Sequence, residues 1–269
     1  MARRPTLAVR LLTRRVRRSA GPPVDLELIT IAFNNELVIR LQCDTFHRHI
    51  SDRYHWTVAD NSPSRSCRRA LRSFCRDNGV AYLPLPRNPY TGRDPSRSHA
   101  EALNYVVRHY AGATGAPVLG LLDHDVFPTA PSSPVSRLGA AAAYGRERVE
   151  QGTRYLWPGL LFLSRSAVDV AGLDFRPGPP GSGADTGAGL AKSLFNSEAE
   201  HVIVLMSDRA FRLRSTDDEH YEMFDDWLHM VNASYWKTVS PKEADIVRLL
   251  QERAGLPRTL LGRPGHQFD

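Results

Sequence analysis

Two carboxylates separated by a single residue follow an apolar run near the middle of the chain. The run VLGLL (118–122) leads into Asp123, His124 and Asp125. If the strand continues through them, alternation places both aspartates on one side and His124 on the other. Close carboxylates repel each other, and Mg²⁺ or Mn²⁺ relieves that repulsion while keeping sites for substrate phosphates. The pattern therefore predicts a metal–diphosphate site, although it also fits an ordinary polar strand end.

The elements around this pair alternate between strands and helices. Strands are predicted at 26–32, 55–60, 80–85 and 117–122, with helices at 35–50, at 64–79 and from a cap at Ser98. This order is typical of βαβ units, so we predict an α/β fold with a Rossmann-like, mostly parallel central sheet flanked by helices. Ligands of such sheets bind beyond the carboxyl ends of the strands, where Asn34, Asp60 and Asn88 lie. No glycine-rich dinucleotide motif or P-loop follows any strand.

The second half of the chain is less regular. We predict a strand at 160–164, entered through Trp157-Pro158-Gly159, and a helix at 186–195. A strand at 201–206, an acidic and aromatic segment at 217–236 and a helix at 241–254 complete it.

Composition limits the partners. Residues 1–20 hold seven arginines and no acid, so the net charge of +6 becomes 6 − 7 = −1 for the rest, and we expect no nucleic acid partner. The apolar residues of this segment fall roughly on one side of a helical wheel, which fits a peripheral membrane anchor, an organellar transit peptide or a disordered arm. Three cysteines without metal-ligand spacing predict free thiols and a cytoplasmic protein, associated with a membrane if the anchor interpretation holds.

The order of several short motifs resembles one known family. ITIAFNN, VADNSPS, RNPYTG, SHAEALN, LLDHDVFP and WPGLLFLSR together resemble the GT-A fold glycosyltransferases of the family-2-like inverting type, over about residues 25–236. The resemblance implies a single GT-A domain that moves a sugar from a nucleoside-diphosphate sugar, with UDP-type donors favoured, to an unknown acceptor with inversion. The acceptor class stays open between a sugar, a lipid-linked molecule and a small molecule.

The same resemblance implies a division of the chain. Residues 1–23 would be a basic tail, 24–130 the nucleotide-sugar-binding half, 131–255 the acceptor-binding half and 256–269 a C-terminal tail.

It also implies roles for single residues. The donor residues would be Phe33 and Asn34 at the base and ribose, Asp60 at the base, Asn88 with Gly92 in the donor loop, Asp123 at the ribose, and Gly159 near the donor sugar. Mn²⁺ or Mg²⁺ would be held by Asp125 and His229, with His220 the weaker alternative. His99 would approach the diphosphate.

The general base is expected at Asp185, in GADTGAGL, at the start of a helix. Ala184 stands where the family has glutamate, and Asp185 also fits a simple helix cap. Glu222, Asp225 and Asp226 are reserve candidates. Trp157 fits either stacking on an acceptor sugar or core packing.

Three other hypotheses stay open. DHDVFPT is similar to the motif of haloacid-dehalogenase-type phosphatases, but Phe127 replaces threonine or valine and the motif follows the fourth strand. A sugar nucleotidyltransferase would carry a glycine-rich, basic signature after the first strand, which AFNNELVIR lacks. The absence of the family's glutamate at 184 also fits a degenerate GT-A domain that binds a sugar nucleotide without turnover.

Overall fold

The computed structural model describes residues 4–18, 23–179, 183–196, 200–209, 221–231 and 242–257 of the 269-residue chain. The chain forms two compact units. The first comprises residues 1–36, 52–124 and 133–207, and the second comprises residues 37–51, 125–132 and 208–269. The predicted halves, 24–130 and 131–255, describe which substrate each part binds and stay a prediction.

The elements are numbered in chain order. The strands are β1 Leu26–Ala32, β2 Tyr54–Asp60, β3 Ala81–Pro84, β4 Val118–Asp123, β5 Val126–Pro128, β6 Ala143–Glu150, β7 Thr153–Ser164, β8 Ile203–Leu205, β9 Asp208–Arg209, β10 Tyr221–Phe224 and β11 Trp227–Met230. The helices are α1 Leu7–Arg18, α2 Glu36–His49, α3 Arg65–Asp77, α4 Pro95–His109, α5 Pro134–Leu138 and α6 Lys242–Arg253, with a 3₁₀ turn Val170–Gly172 and a π-helical turn Ala191–Phe195.

A seven-stranded sheet forms the centre of the first unit. Its order is β3-β2-β1-β4-β7-β6-β8, and β7 alone runs against its neighbours among these strands. The apolar sequence LELITIA explains the central place of β1, because all of its residues are buried. The predicted mostly parallel α/β sheet is therefore confirmed, and the carboxyl ends of β1, β2 and β4 share one edge.

The start of α4 differs from the prediction. Asp94 is the N-cap, since its side chain accepts a hydrogen bond from the Arg97 amide at 2.9 Å, and Pro95 occupies the first turn. Ser98 lies inside the helix and is buried. An Asp-Pro pair is a strong helix-start signal because proline's fixed φ suits the first turn, where its missing amide has no partner to lose.

The structure contains a hairpin of β6 and β7 that the sequence pattern does not predict, apart from the last residues of β7. Gln151 and Gly152 form its two-residue turn with φ of 46° and 79°, values that suit a right-twisted hairpin. Trp157, Pro158 and Gly159 lie inside the 12-residue β7 rather than before a strand. The register shifts opposite them, between Gly145 and Glu147. Such an irregularity accommodates a proline within a strand.

The second unit contains a four-stranded antiparallel sheet of order β5-β11-β10-β9. Its core joins α2, α6 and this sheet through Leu41, Phe127, Leu228, Ile246 and Leu250. The predicted helices at 35–50 and 241–254 thus correspond to α2 and α6. The acidic, aromatic segment supplies β10 and β11.

The arginine-rich segment is a helix that packs on the first unit. Val9 is fully buried in the main core cluster, and Leu12 and Val16 pack against that cluster. The amide of Thr6 donates to the hydroxyl of Tyr105 at 2.9 Å. The part described, residues 4–18, is therefore not a disordered arm. Within the described residues, no helix is long and apolar enough to cross a bilayer.

Candidate functional site

The ends of β1 and β2 are joined by backbone turns. Asn34 adopts a left-handed conformation with φ of 52°, and its amide donates to the Ser62 hydroxyl at 2.8 Å. The amide of Asn61 donates to the carbonyl of Ala32 at 2.9 Å. Asparagine tolerates this backbone conformation better than most residues. The predicted donor residues Phe33 and Asn34 thus lie on a shaped, half-buried turn at the carboxyl edge of the sheet.

Asp60 is fully buried, and both of its carboxylate oxygens accept hydrogen bonds from the protein. One accepts from the Ser62 amide at 2.9 Å and the other from the Tyr82 hydroxyl at 2.6 Å. Burial, together with this bond, raises the pKa of Tyr82, so the phenol stays protonated and donates even in alkaline solution. In this arrangement Asp60 holds the turn after β2. Its contact with a nucleotide base stays a prediction.

A cleft rich in arginine opens beside this turn. It encloses about 870 Å³ and is lined by Arg65, Arg68, Arg87 and Arg93, with Asn88 on its wall. The lining contains no carboxylate among the described residues. The Asn88 side chain donates to the Ser98 carbonyl at 2.7 Å and accepts from the Tyr90 amide at 3.1 Å, so it shapes the loop after β3. The cleft offers positive charge and donors to an anion.

Strand β4 ends two residues earlier than the predicted strand through Asp125 requires. Asp123 is its last residue, and His124 and Asp125 form a turn. Strand alternation therefore does not apply to Asp125, and the predicted common face of the two aspartates has no basis in the strand. His124 is buried, and its Nδ1 lies 3.2 Å from the Ile31 carbonyl. A protonated Nδ1 donates to that carbonyl, so His124 ties the turn after β4 to the end of β1.

Asp123 lies in a cluster with His99, Trp157 and Gly159 in the first unit. His99 Nε2 is 3.0 Å from Asp123 Oδ1. A Cβ built on Gly159 would lie 2.1 Å from the Trp157 ring and 2.5 Å from Asp123 Oδ2. Glycine at 159 thus lets the indole and the carboxylate approach the backbone closely. The structure brings together four residues to which the resemblance assigned contacts with the donor or acceptor.

Asp185 joins this part of the unit through a glutamate that sequence reasoning missed. The amide of Asp185 donates to Glu150 Oε2 at 2.8 Å, and the buried Tyr155 hydroxyl donates to the same oxygen. Arg148 Nη1 lies 3.6 Å from Glu150 Oε1, and its guanidinium lies 5.1 Å from the centre of the Trp157 ring. Burial and the bond to Glu150 raise the pKa of Tyr155.

The loop that carries Asp185 is anchored, but it is not a helix start. Residues 186–189 form turns, and the π-helical turn begins only at Ala191. Asp185 Oδ1 accepts from the adjacent Thr186 amide at 2.6 Å, and the Thr186 hydroxyl donates to the Ser96 carbonyl at 2.9 Å. Glycines interrupt the predicted helix at 186–195, because Gly187 adopts a φ of 100°. Asp185 is therefore not the cap of a regular helix.

The second unit contains its own cluster of Asp125, Glu222 and His229. His229 Nε2 lies 3.8 Å from Asp125 Oδ1, and His229 Nδ1 lies 2.9 Å from Glu222 Oε2. Asp125 and His229 are buried. Strands β10 and β11 place Glu222 directly opposite His229 in the hairpin. A carboxylate at Nδ1 fixes the tautomer of a histidine and leaves Nε2 with its lone pair.

This cluster fits a divalent cation held by two protein ligands. Among the described residues, no group of three or more histidine, cysteine or carboxylate side chains is arranged to hold a metal ion. In such a site, Asp125 and His229 would be the direct ligands, and Glu222 would orient the imidazole of His229. Mg²⁺ and Mn²⁺ sites that serve phosphate substrates commonly leave the remaining positions to water and phosphate oxygens.

The reserve candidates have other contacts. Asp226 forms an ion pair with Arg209 at 3.2 Å, and Asp225 has φ of 48° in the turn between β10 and β11. His220 lies outside the described residues. Glu222, the other reserve candidate for the general base, contacts the imidazole of His229.

Comparisons with known proteins give structural likenesses at low sequence identity. No family model matches the chain, and no curated protein matches it. A mannosyltransferase from Pyrobaculum calidifontis, solved with GDP-Man and Mn²⁺, is 18% identical to this chain and gives a TM-score of 0.47. The likeness covers 74% of this chain and 62% of the mannosyltransferase chain. The galactosyltransferase LgtC with donor and acceptor sugar analogues is 15% identical with a TM-score of 0.36, covering 51% and 57%.

Core-mannan synthase A from Aspergillus fumigatus, in a form with Mn and GDP, is 9% identical with a TM-score of 0.36. The likeness covers 55% of this chain and 61% of that one. The chain therefore spans less than two thirds of the length of each of these structures. It is similar, over that part, to three glycosyltransferases.

Proposed function

We propose that the protein is a metal-dependent glycosyltransferase that moves a sugar from a nucleoside-diphosphate sugar, preferentially a UDP-sugar, to a hydroxyl acceptor with inversion. The observation that carries the proposal is the side-chain cluster of the first unit. It runs from His99 and Asp123 through Trp157 to Glu150 and Asp185. Positioned carboxylates are the groups that act as general acid and base in reactions at glycosidic bonds.

The donor's nucleotide and diphosphate suit the carboxyl edge of the sheet. Asp123 is proposed to accept from the ribose hydroxyls, and Asn34 and Phe33 to border the base. The neighbouring arginine cleft, with Arg65 and Arg87 on its lining, supplies the positive charge that an anionic nucleotide needs. Asp60 holds the turn after β2 through the Ser62 amide, and its contact with the base stays a prediction.

Asp125 and His229 are proposed to hold Mn²⁺ or Mg²⁺. When bound, such an ion neutralises the charge that develops on the leaving diphosphate. The chain's own contribution is orientation: Glu222 accepts from His229 Nδ1, which directs Nε2 toward Asp125. Solvent is largely excluded from the side chains of Asp125 and His229.

Asp185 is proposed as the general base that accepts the acceptor's proton during inversion. Glu150 is a positioning residue, because its carboxylate accepts the Asp185 amide and so fixes the loop. Glu150, at the end of strand β6, therefore places a second acidic group beside Asp185. Ala184, which stands where the family has glutamate, has no carboxylate to do so. Trp157, held under Arg148, is proposed to stack on a sugar face.

The test is a donor screen followed by two variants. UDP-, GDP- and dTDP-sugars are incubated with the protein and Mn²⁺, and release of nucleoside diphosphate is followed. We expect turnover of a UDP-sugar, a kcat lowered by about a thousandfold in Asp185→Asn, and a smaller, about tenfold loss in Glu150→Gln with the donor KM unchanged.

A matched control is Glu252→Gln, an exposed position on α6 that should keep full activity. If no nucleotide binds with metal present, the proposal fails. If UDP binds with metal but neither hydrolysis nor transfer occurs with any acceptor tested, the degenerate-domain alternative replaces it. Release of phosphate from a simple aryl phosphate would favour the phosphatase alternative.

A further inference from the structure

The outer face of α1 combines exposed leucine with arginine. Leu7 and Leu11, one turn apart, are 64% and 55% exposed. Arg10, Arg14 and Arg15 are also exposed and flank them on the same side of the helix. The opposite side, which carries Val9, is buried in the core. The outer face is therefore an apolar centre bordered by positive charge.

Charge is concentrated on this segment rather than spread over the chain. Residues 1–20 contain seven arginines and no acid, whereas the remaining residues sum to 6 − 7 = −1. The described part of the helix has no acidic residue in its first turn or beyond. An anionic surface would thus be attracted to α1, whose arginines are offset by no acid within the helix.

We propose that the outer face of α1 docks on an anionic lipid bilayer, with Leu7 and Leu11 entering the interfacial region and the arginines contacting lipid headgroups. A basic helix with leucines on one face is typical of interfacial binding. Charge complementarity selects the lipid surface. Two leucines are far less than the roughly 800 Å² per partner that a stable dimer buries, and a nucleic acid would use the arginines without needing the leucines.

The helical wheel grouped the apolar residues of this segment on one side, whereas the structure divides them between a buried and an exposed side. Val9, Leu12 and Val16 are already covered by the first unit, and Thr6 is bonded to Tyr105. Docking through Leu7 and Leu11 leaves those contacts intact. The protein therefore reaches the membrane without unpacking α1, and the inference does not depend on the proposed catalytic activity.

The experiment is vesicle flotation of the full chain. Vesicles of phosphatidylcholine alone are compared with vesicles containing one part phosphatidylglycerol to three parts phosphatidylcholine. We expect binding to the anionic vesicles only, weakened by high salt. Arg10→Gln/Arg14→Gln/Arg15→Gln should weaken it by about a hundredfold, and Leu7→Gln/Leu11→Gln by about tenfold.

The matched control is Arg69→Gln/Arg72→Gln/Arg76→Gln, which removes the same charge from the exposed side of α3. It should bind vesicles as the wild type does, and thermal unfolding should show every variant folded. The proposal is overturned if the wild type ignores anionic vesicles or if the α3 variant loses as much binding as the α1 variant. It is also overturned if Leu7→Gln/Leu11→Gln binds normally, because attraction would then be charge alone, as for a nucleic acid.

Discussion

Two histidine–aspartate pairs, one in each compact unit, differ in ways that separate their roles. In the first unit, His99 and Asp123 lie 3.0 Å apart, and about a fifth of each side chain is exposed. In the second, His229 and Asp125 lie 3.8 Å apart, and both are buried. The second pair has a third group beside it, because Glu222 Oε2 lies 2.9 Å from His229 Nδ1.

The difference indicates which pair is suited to a cation. At 3.0 Å, a protonated His99 forms an ion pair with the Asp123 carboxylate, so the two side chains satisfy each other at an accessible edge. The wider spacing of His229 and Asp125, with the imidazole oriented by a carboxylate, is the arrangement found around metal ligands. Two aspartates two positions apart in the chain therefore receive different proposed tasks.

Among the substitutions that separate the two pairs, Asp125→Ala should change UDP affinity most. It removes a proposed metal ligand, so the affinity for UDP in the presence of Mn²⁺ should fall by more than about a hundredfold. Isothermal titration calorimetry of UDP binding, with and without Mn²⁺, measures this loss. If Mn²⁺ strengthens UDP binding to the variant as much as to the wild type, Asp125 does not hold the metal.

Glu222→Gln should weaken Mn²⁺ binding by about ten- to a hundredfold, since glutamine keeps the size but no longer favours the required tautomer of His229. Direct Mn²⁺ titration by electron paramagnetic resonance is the measurement. Glu252→Gln, in the same unit, serves as the control and should match the wild type. Equal Mn²⁺ affinity in Glu222→Gln would mean that this carboxylate does not orient a ligand.

Asp123→Asn should weaken UDP binding by about tenfold, the loss of a charge-assisted hydrogen bond to the ribose. Its dependence on Mn²⁺ should persist, which is the reverse of the result for Asp125→Ala. The two titrations done side by side measure the contrast directly. Loss of the Mn²⁺ dependence in Asp123→Asn would show that the two aspartates act on the same cation.

His99→Gln should have the smallest effect, a loss of about threefold in UDP affinity, because the partially exposed pair is screened by solvent. The double variant with Asp123→Asn should lose little more than Asp123→Asn alone, since both changes break one contact. Titrations of UDP with the wild type and the three variants form the cycle. Fully additive losses would indicate that His99 contacts the nucleotide independently of Asp123.

The parallel part of the first sheet was predictable because each strand carries its own signal. LELITIA is an apolar, β-branched run that ends at a polar turn, and β1 has the predicted bounds of 26–32. The strand ending at Asp60 starts one residue earlier than predicted, and the one after Gly79 is shorter at both ends. Local pattern alone is enough where a strand is buried on both faces.

Glu150 could not be assigned in the same way. It becomes the neighbour of Asp185 only through the β6–β7 hairpin and a loop that returns 35 positions later. RERVE, before Gln151-Gly152, contains a single apolar residue and so lacks the alternation that predicts one arm of a hairpin. No local pattern indicates which loop the carboxylate of Glu150 meets.

The sequence by itself determined the alternation of elements, the polar ends of the parallel strands and the concentration of arginine in the first twenty residues. These properties depend on nearest neighbours and composition. The tertiary structure alone decided that the chain turns after Asp123, that Glu222 meets His229 across a hairpin and which side of α1 faces solvent. The physical reason is that each of these depends on packing or pairing with residues distant in the chain, whose positions no local pattern contains.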